Sequence, residues 1–376
     1  MTADIVVYGA TGVAGRHACG ELDVEGASFA VAGRDEQALE RLTYAAADRR
    51  VATLDDAQSL LAAFAHAKVV LNCAGPLAEV GEPLLLAALA AGAHYVDLGG
   101  DQAFVHAMYE RHESDARHSG HVAVMGCAVN GGLGDLAAAW AAQHVCGVVE
   151  EGDPVRAQPV ARLAEDRPLD ELAISYVFDD LVLSPASQRA VFAGLAVRGL
   201  AWRRDRWEPV APARMRRRIN AGSAMGGERD VVSFPGGEVI TLPRHVAARE
   251  VQTYVSTTRD RLASTALRLV ARALPLVPRR ATELLAPYAP PEEDYARTRF
   301  AVVAQARRGF SAAQVVVSGV DLYRASAVVA AWAARQLARR GTGPVGMCAP
   351  TEVFRPAPAL RELATIGAFA VEPSFG

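Results

Sequence analysis

Short hydrophobic runs recur along the first third of the chain and are separated by longer stretches of mixed polarity. The runs predict strands at residues 5–8, 28–32, 51–54, 68–73, 94–98 and 121–127. The intervening stretches predict one helix that ends at residue 22 and others at 36–46, 57–65, 83–91 and 104–118. Strand–helix repeats with short connections form parallel sheets covered by helices on both faces. We therefore expect residues 1–130 to form an α/β domain with a doubly wound parallel sheet.

The pattern changes after residue 130, where a predicted helix at 131–144 is followed by separate strands and helices. Strands are predicted at 155–163, 173–178, 230–234, 238–241 and 252–256, and a hairpin joins 299–306 to 313–319 through 307–309. Helices are predicted at 260–286 and 322–340, and the tail from 341 is predicted to be loop with one helix at 359–366. This arrangement favours an α+β domain over 131–320 and a C-terminal helical segment over 321–376.

A glycine-rich segment directly follows the first predicted strand and precedes a helix. It consists of Gly9, Thr11, Gly12, Val13, Ala14 and Gly15, with Ala10 between the first two. Gly9 permits a tight turn, Gly12 lets a pyrophosphate approach backbone N–H groups, and Gly15 permits close packing of helix on sheet. In this context the segment predicts a dinucleotide site, and the alternative is a glycine-rich turn without a ligand.

The end of the second strand bears on the type of dinucleotide. An acidic residue at the strand tip is typical of NAD sites, whereas this chain has Arg34, whose guanidinium suits a 2′-phosphate. Asp35 comes one position later, and we expect it to cap the following helix. We therefore expect NADP(H), with a merely solvated Arg34 as the alternative.

Further cofactor contacts are predicted after the third and fourth strands. Asp55 comes directly after the third strand. A second group ends the fourth strand, where the chain of such folds passes the nicotinamide ribose; it consists of Asn72, Cys73, Ala74, Gly75 and Pro76.

The fifth strand carries two candidates for acid–base chemistry. Tyr95 and Asp97 share one face of this strand, because side chains alternate along a strand. For Tyr95, packing and proton donation both remain open, and for Asp97 a role as a loop anchor stands beside one as an acid or base.

Composition excludes several classes of protein. The 39 basic and 42 acidic residues give a net charge of −3, which does not favour a nucleic-acid partner. The five cysteines form no CxxC or CxxxC pair, so we expect neither a zinc site nor disulfides. Lys68 is the only lysine and has Phe64 four residues before it, which excludes the Tyr-x-x-x-Lys pair of classical short-chain dehydrogenases. Without a signal-peptide pattern or a membrane-spanning segment, we expect a cytoplasmic protein.

Four segments together resemble the saccharopine dehydrogenase-like oxidoreductases and their trans-acting enoyl reductase relatives. The segments are GATGVAG, AGRDEQALERL, LNCAGP with GEPLLLAALAAGAHYVDLGGD, and VVSGVDLYRASAVVA. The likeness covers residues 3–142 and 297–366. It implies an NADP-binding Rossmann domain, a second domain inserted before a C-terminal helix that returns to the first, and substrate between them. Relatives often show Gly-Phe-Asp-Ser-x-Pro-Ser-Asp after the sixth strand, of which this chain keeps Gly126 and Asp135.

These observations favour an NADPH-dependent oxidoreductase that reduces a C=C or C=N bond of a small or acyl-bearing metabolite. Saccharopine is not the expected substrate, because no lysine is available beside the chemistry. The proton-donor candidates are Tyr95, Asp97 and Tyr323, with Asn130 as an orienting group, and packing of the C-terminal helix is the alternative for Tyr323. A non-catalytic NADP-binding regulator or scaffold is the alternative from another class.

Two further segments suggest partners. Eight arginines lie between residues 198 and 218, with Trp202 and Trp207 among them, and predict either an exposed hairpin or a docking site for an acyl thioester or acidic carrier protein. The apolar stretch 265–277 predicts ordinary packing or a homodimer face, and contact with an acyl chain or membrane surface is its alternative.

Overall fold

The structure, a computed structural model, describes residues 3–44, 48–195, 197–211, 213–256 and 288–375. The predicted helical section 260–286, including the apolar stretch 265–277, lies outside the described residues. Strands are numbered in chain order: β1 Ile5–Tyr8, β2 Phe29–Gly33, β3 Asp48–Val51, β4 Val69–Asn72, β5 His94–Asp97, β6 Val122–Val124, β7 Glu171–Asp179, β8 Gly199–Arg203, β9 Arg206–Val210, β10 Arg216–Asn220, β11 Glu228–Ser233, β12 Glu250–Ser256, β13 Arg299–Arg308, β14 Ser311–Val320, β15 Gly346–Cys348 and β16 Phe369–Phe375.

The α-helices of the described residues are numbered in the same way: α1 Val13–Val24, α2 Glu36–Glu40, α3 Ala57–Phe64, α4 Leu77–Ala90, α5 Gln102–Ser119, α6 Gly134–Cys146, α7 Pro185–Leu195, α8 Glu238–His245, α9 Leu322–Arg339, α10 Pro350–Val353 and α11 Pro356–Thr365. A π-type turn at Val129–Leu133 precedes α6, and 3₁₀ turns lie at Ser223–Met225 and Glu292–Arg297.

The first sheet is parallel throughout and has the strand order β15-β6-β5-β4-β1-β2-β3. Ile5 of β1 pairs with Phe29 of β2 on one side and with Val69 of β4 on the other. The direction of winding therefore reverses between β1 and β4, which is where ligands bind in open sheets of this kind. The predicted doubly wound α/β fold is confirmed.

Alternate residues of the first sheet face two separate cores. Ile5 and Val7 point toward a core that also contains residues of α1 and α9, whereas Val6 and Tyr8 point toward one formed with α3, α4 and α5. The long helix α9 thus covers the first sheet from the end of the chain, as the family resemblance implied.

The second sheet is mixed and follows the order β10-β11-β12-β7-β13-β14-β16, with the hairpin β8–β9 joined through β12. Its buried face packs on α6, which has five alanines among its 13 residues and is buried along nearly its whole length. Both sheets, α6 and α9 share one continuous apolar core, so the second sheet cannot separate from the first without exposing it.

Several predicted elements differ from the observed ones for identifiable reasons. Residues 238–241 are helical instead of extended, because the helical spacing of Glu238, Thr241 and His245 directs their polar side chains to one buried cluster. Residues 155–163 form only isolated bridges, at Val155 and Leu163, since two prolines remove backbone donors nearby.

Other boundaries and short elements were also wrong. The third strand lies at Asp48–Val51, earlier than predicted, because an exposed and arginine-rich edge strand carries no hydrophobic run. The tail is not loop: β15 completes the first sheet and β16 the edge of the second. Helix α4 begins six residues earlier than predicted, at Leu77. The helix α7 and the strands β8, β9 and β10 were not predicted.

Aspartates cap the N-termini of several helices, whereas other helices begin without a side-chain cap. Asp35, Asp56, Asp101 and Asp321 each accept a hydrogen bond from a backbone N–H of the helix that follows. Such a cap contributes about 1 kcal/mol. Helices α1 and α4, which follow β1 and β4, have no side-chain cap. Two uncapped helix ends therefore lie on both sides of the point where the winding reverses, although α6, α8 and α11 also begin without a side-chain cap.

A buried ion pair provides a test of the second sheet. The guanidinium of Arg229 donates to Asp179 at 2.9 and 3.2 Å, and the Arg229 side chain is 4% exposed. We expect Asp179→Ala to lower the free energy of unfolding by about 3–5 kcal/mol, because it leaves a buried cation without its carboxylate. Urea denaturation measures this, and Glu228→Ala, which removes a carboxylate that is 73% exposed, serves as the control. Equal losses in the two variants would contradict the interpretation.

Candidate active site

Crowding explains two glycines of the segment after β1, and openness explains the third. Gly9 has a φ of +81°, and a Cβ there would lie 2.6 Å from the Ala74 nitrogen. A Cβ on Gly15 would lie 2.1 Å from the Gly9 carbonyl oxygen. Gly12 is exposed, and its Cβ would have no neighbour closer than 3.4 Å. The turn is therefore tight underneath and open outward, as a bound pyrophosphate requires.

The open face of Gly12 continues into the first turn of α1. Gly12 is the N-cap residue and has no side chain to cap α1, and no hydrogen bond from Val13 or Ala14 N–H to a side chain is found among the described residues. The Arg16 side chain, one turn on, donates to the Thr11 carbonyl at 2.5 Å and pairs with Glu292 at 2.5 Å. Unpaired N–H groups at the positive end of a helix can bind a phosphate, so these residues fit the predicted pyrophosphate site.

Arg34 and Asp55 both lie close enough to Tyr8, near the carboxyl ends of β1, β2 and β3, to influence its hydroxyl. Burial raises the pKa of Tyr8, the charge of Arg34 lowers it and that of Asp55 raises it, so both charges act on the same hydroxyl. Arg34 is exposed and has no ion pair among the described residues, whereas Asp35 caps α2 through the Ala38 N–H at 3.0 Å, as predicted. A free guanidinium fits the 2′-phosphate of NADP.

The turn after β4 is held from below by Asn72. Its Oδ1 accepts from the Ala74 N–H at 2.9 Å, and its Nδ2 donates to the Tyr95 hydroxyl at 2.9 Å. The Cys73 N–H donates to the Tyr8 carbonyl at 2.8 Å, which leaves Gly75 exposed at the surface and Pro76 at the start of α4. Because Ala74 also packs on Gly9, the two predicted cofactor turns lie against each other.

Tyr95 and Asp97 lie beneath this edge of the sheet. Both are 0% exposed, and burial raises the pKa of Tyr95 well above its usual value. Asp97 Oδ1 accepts from the Gly126 N–H at 2.7 Å and from the Gly99 N–H at 3.1 Å. Burial raises the Asp97 pKa to about 6, although these N–H groups oppose the shift. The contacts of Asp97 are those of a loop anchor, and Tyr95 contacts the amide of Asn72.

Tyr323 lies elsewhere, at the start of α9, and contacts α7. Its hydroxyl accepts from the Ser184 N–H at 2.7 Å and donates to Ser187 at 2.9 Å. A Cβ on Gly75 would lie 3.8 Å from Ala186, which precedes Ser187 in α7, so this helix borders the turn after β4. The hydroxyl of Tyr323 thus contacts the start of α7, beside the turn after β4.

Sequence reasoning missed a buried cluster on the other side of Asn130. Glu238 accepts from the Gly131 N–H at 3.1 Å and from the Tyr176 hydroxyl. Asp135 accepts from Thr241 at 2.7 Å and contacts His245 Nε2 at 3.1 Å. The one signal in the sequence is the helical spacing of 238, 241 and 245, which the β-branched residues between them obscured.

The arginine-rich stretch forms the hairpin β8–β9 and strand β10, and most of its charges are paired. Carboxylates lie within 4.0 Å of Arg203, Arg206, Arg216, Arg217 and Arg218. Arg198, Arg204 and Arg214 have no ion pair in the part of the chain that the structure describes. The indole N–H groups of Trp202 and Trp207 donate to backbone carbonyls, so both rings are structural.

Comparisons with known proteins agree with this geometry in the first domain. Residues 5–124 match the family model "Saccharopine dehydrogenase NADP binding domain". A "Lipid droplet localized protein" of Caenorhabditis elegans is 33% identical over 138 residues, 33% of this chain and 32% of that protein. A "Trans-acting enoyl reductase" of Mycobacterium tuberculosis is 33% identical over 141 residues, 35% of this chain and 34% of that protein.

The similarity is thus confined to part of each protein, and the chain spans about a third of the length of these relatives. A solved Rossmann-fold NAD(P)-binding family protein from Shigella flexneri is 13% identical, with a TM-score of 0.27 over 33% of this chain and 67% of that one. None of the described helices is both long enough and apolar enough to cross a membrane.

The openness around Gly12 leads to a test of the phosphate site. We expect Gly12→Val to abolish NADPH binding, because the branched side chain fills the space that a pyrophosphate needs, while the fold survives. Fluorescence titration measures binding and thermal unfolding measures the fold. Gly20→Ala, in the same helix with nothing within 4 Å of its Cβ position, should bind normally. Unchanged affinity in the Gly12 variant would refute the assignment.

Proposed function

We propose that this protein, whose residues 5–124 match the saccharopine dehydrogenase NADP-binding domain model, is an NADPH-dependent oxidoreductase. The observation that carries the proposal is the pairing of two open turns at one sheet edge. One begins at Gly12 and has uncapped N–H groups, and the other is held by Asn72 and exposes Gly75. The cofactor, when bound, supplies the hydride, and these turns bind and orient it.

We propose an acyl-bearing substrate with a C=C bond in preference to one with a C=N bond. The support is the name of the relative, trans-acting enoyl reductase, which resembles the first domain of this chain. The bond would lie beside Gly75, where Ala186 of α7 approaches the turn and offers an apolar surface. An acyl thioester on a carrier protein is the proposed form of the substrate. Arg198, Arg204 and Arg214, which have no ion pair among the described residues, are the proposed contacts for the carrier protein.

The reaction is tested by following NADPH absorbance with two panels of small molecules. Enoyl thioesters of pantetheine test C=C reduction, and cyclic imines test C=N reduction. Oxidation of NADPH with the enoyl thioesters supports the proposal. Oxidation with the cyclic imines alone would assign C=N reduction instead. Tight NADPH binding without oxidation by either panel would favour the non-catalytic regulator. A cytoplasmic location and a homodimer remain predictions, which fractionation and light scattering test.

Arg34 provides the test of cofactor choice. We expect Arg34→Ala to weaken NADPH binding by about 1.5–3 kcal/mol, the range for a hydrogen bond to a charged group, with little effect on NADH. Titration with both cofactors measures the difference. Arg41→Ala removes an exposed arginine at the other end of α2 and should leave both affinities unchanged. Equal losses for NADPH and NADH in the Arg34 variant would refute the role in 2′-phosphate binding.

Tyr95 is the first proposed proton donor, with Asp97 and Tyr323 as the others. General acid catalysis contributes about 10²–10⁴-fold, so Tyr95→Phe should lower kcat by that factor and leave NADPH affinity intact. Tyr109→Phe removes a buried hydroxyl that has no hydrogen-bond partner among the described residues and serves as the control. A raised Kd for NADPH at unchanged kcat would instead assign Tyr95 to supporting Asn72.

A further inference from the structure

We propose that Glu238 is a positioning residue that, through its carboxyl group, fixes the turn around Asn130 and so couples the second sheet to the edge of the first. This inference does not depend on the reaction proposed above. It concerns a side chain outside the predicted cofactor contacts, in the first turn of α8, where Glu238 is 0% exposed.

The contacts of Glu238 converge on one backbone N–H. The Gly131 N–H lies 3.1 Å from Glu238 Oε1 and 3.0 Å from the Tyr176 hydroxyl, which itself donates to Oε1. Tyr176 belongs to β7, so the second sheet and α8 together hold Gly131. The backbone there cannot supply its own partner, because Gly131 has φ +111° and ψ −84° and interrupts the helical turn.

The space around the carboxyl group is shaped by glycines. A Cβ on Gly134 would lie 2.4 Å from the Tyr176 hydroxyl and 2.5 Å from Glu238 Oε1, and a Cβ on Gly236 would lie 2.6 Å from Oε2. Larger residues at either position would displace the carboxyl group. Such close approach from two sides indicates a fixed position for this side chain.

The held turn reaches the edge of the first sheet. A Cβ on Gly100, which follows β5, would lie 2.8 Å from the Asn130 carbonyl oxygen and 2.9 Å from its side-chain nitrogen. The Gly132 N–H donates to the Gly126 carbonyl at 2.6 Å, and the Gly126 N–H donates to Asp97 at 2.7 Å. Residues 126–134 are thus held by two buried carboxyl groups, Asp97 from the first sheet and Glu238 from α8.

The surroundings of Glu238 favour its neutral form. Burial raises its pKa to about 8 and the negative charge of Asp135 on α6 adds to the shift, although hydrogen bonds from its own backbone N–H and from the Gly131 N–H oppose it. The pKa of Asp135 is lowered by His245 and by hydrogen bonds from Thr351 and Thr241, so Asp135 keeps its charge. Oε2 of Glu238 has no partner among the described residues. A neutral acid suits such a site, whereas a carboxylate there would be buried without a cation.

The other charged groups around α8 are already paired. Arg244 of α8 contacts Glu352 at 2.9 Å and Glu113 of α5 at 3.8 Å. Its guanidinium also lies 4.3 Å from the centre of the Tyr109 ring. From β7, the facing group is the Tyr176 hydroxyl. On the far side of the turn lies Asp97, whose pKa of about 6 falls within the pH range of the test below. Asp97 is present in every variant compared there, so its titration does not distinguish them.

The sign of the pH dependence follows from these shifts. An unfolded chain loses the Glu238 proton near pH 4.3, whereas the native protein keeps it until about pH 8. The contribution of this group to stability is therefore complete below about pH 4.3, declines as the pH rises toward 8, and is lost above that. Glu238→Gln keeps the shape and an acceptor oxygen but cannot titrate, so it should lack this decline.

The experiment measures Tm from pH 5 to pH 9 for the wild type, Glu238→Gln and Glu228→Gln, the last being an exposed control. We expect the wild-type Tm to fall by about 3 °C or more relative to Glu238→Gln between pH 5 and 8. The Glu228 variant should follow the wild type. Parallel curves for wild type and Glu238→Gln would overturn the proposal.

A second measurement tests the positioning itself. Hydrogen exchange of the segment 126–134 at pH 7 should be equally slow in the wild type and Glu238→Gln and at least tenfold faster in Glu238→Ala. Faster exchange in Glu238→Gln, equal to that of the alanine variant, would also overturn the proposal. If the alanine variant does not fold, Tyr176→Phe replaces it, since that change removes the hydrogen bond between the Gly131 N–H and the Tyr176 hydroxyl. Neither measurement requires cofactor or substrate, so failure of the proposed reaction is distinguishable.

Discussion

The contact between the two sheets depends on the hydrogen bonds of one buried carboxylate, that of Asp135 at the start of α6. It accepts hydrogen bonds from Thr241 of α8 and from the Thr351 N–H of α10, and it contacts His245. A buried charge is costly unless it is fully paired, so these three elements must meet at one place. The chain after the second sheet is thereby brought back to the first, where β15 completes the parallel sheet.

Once α6 is fixed, the glycine turn before it determines the edge of the candidate site. Its backbone leaves the helical region at Asn130 and Gly131, and it is held by carboxyl groups on both sides. Buried carboxyl groups therefore hold the backbone of this turn from below, and the backbone itself forms the edge of the candidate site. Tyr95 and Asp97, on the neighbouring strand β5, are likewise buried.

Two turns at the point where the winding reverses remain free of such supports on their outer side. The helices that follow β1 and β4 have no side-chain cap, while several others begin at an aspartate. Since a cap stabilises a helix by about 1 kcal/mol, its absence at these ends is a cost that a bound anion would offset. The arrangement agrees with the match of residues 5–124 to the saccharopine dehydrogenase NADP-binding domain model.

Local sequence determined the elements whose residues interact with near neighbours. The strand–glycine–helix unit at residues 5–24, the cap at Asp35, the hairpin β13–β14 and the helix α9 follow from short-range spacing and turn chemistry. The parallel order of the first sheet follows from alternation of strands and helices. For the same reason the motif, and the cofactor that it predicts, could be recognised without coordinates.

Only the tertiary structure decided what depends on residues far apart in the chain. Strand β15 has three residues and pairs with β6 more than two hundred positions earlier, so no local pattern announces it. Residues 238–241 favour a strand by composition. In the structure they are helical, and Glu238 contacts Tyr176 and Gly131, which lie far away in the chain. The burial of Tyr95 and the pairing of the arginines likewise required the full fold, because exposure and charge pairing depend on which distant segments pack together.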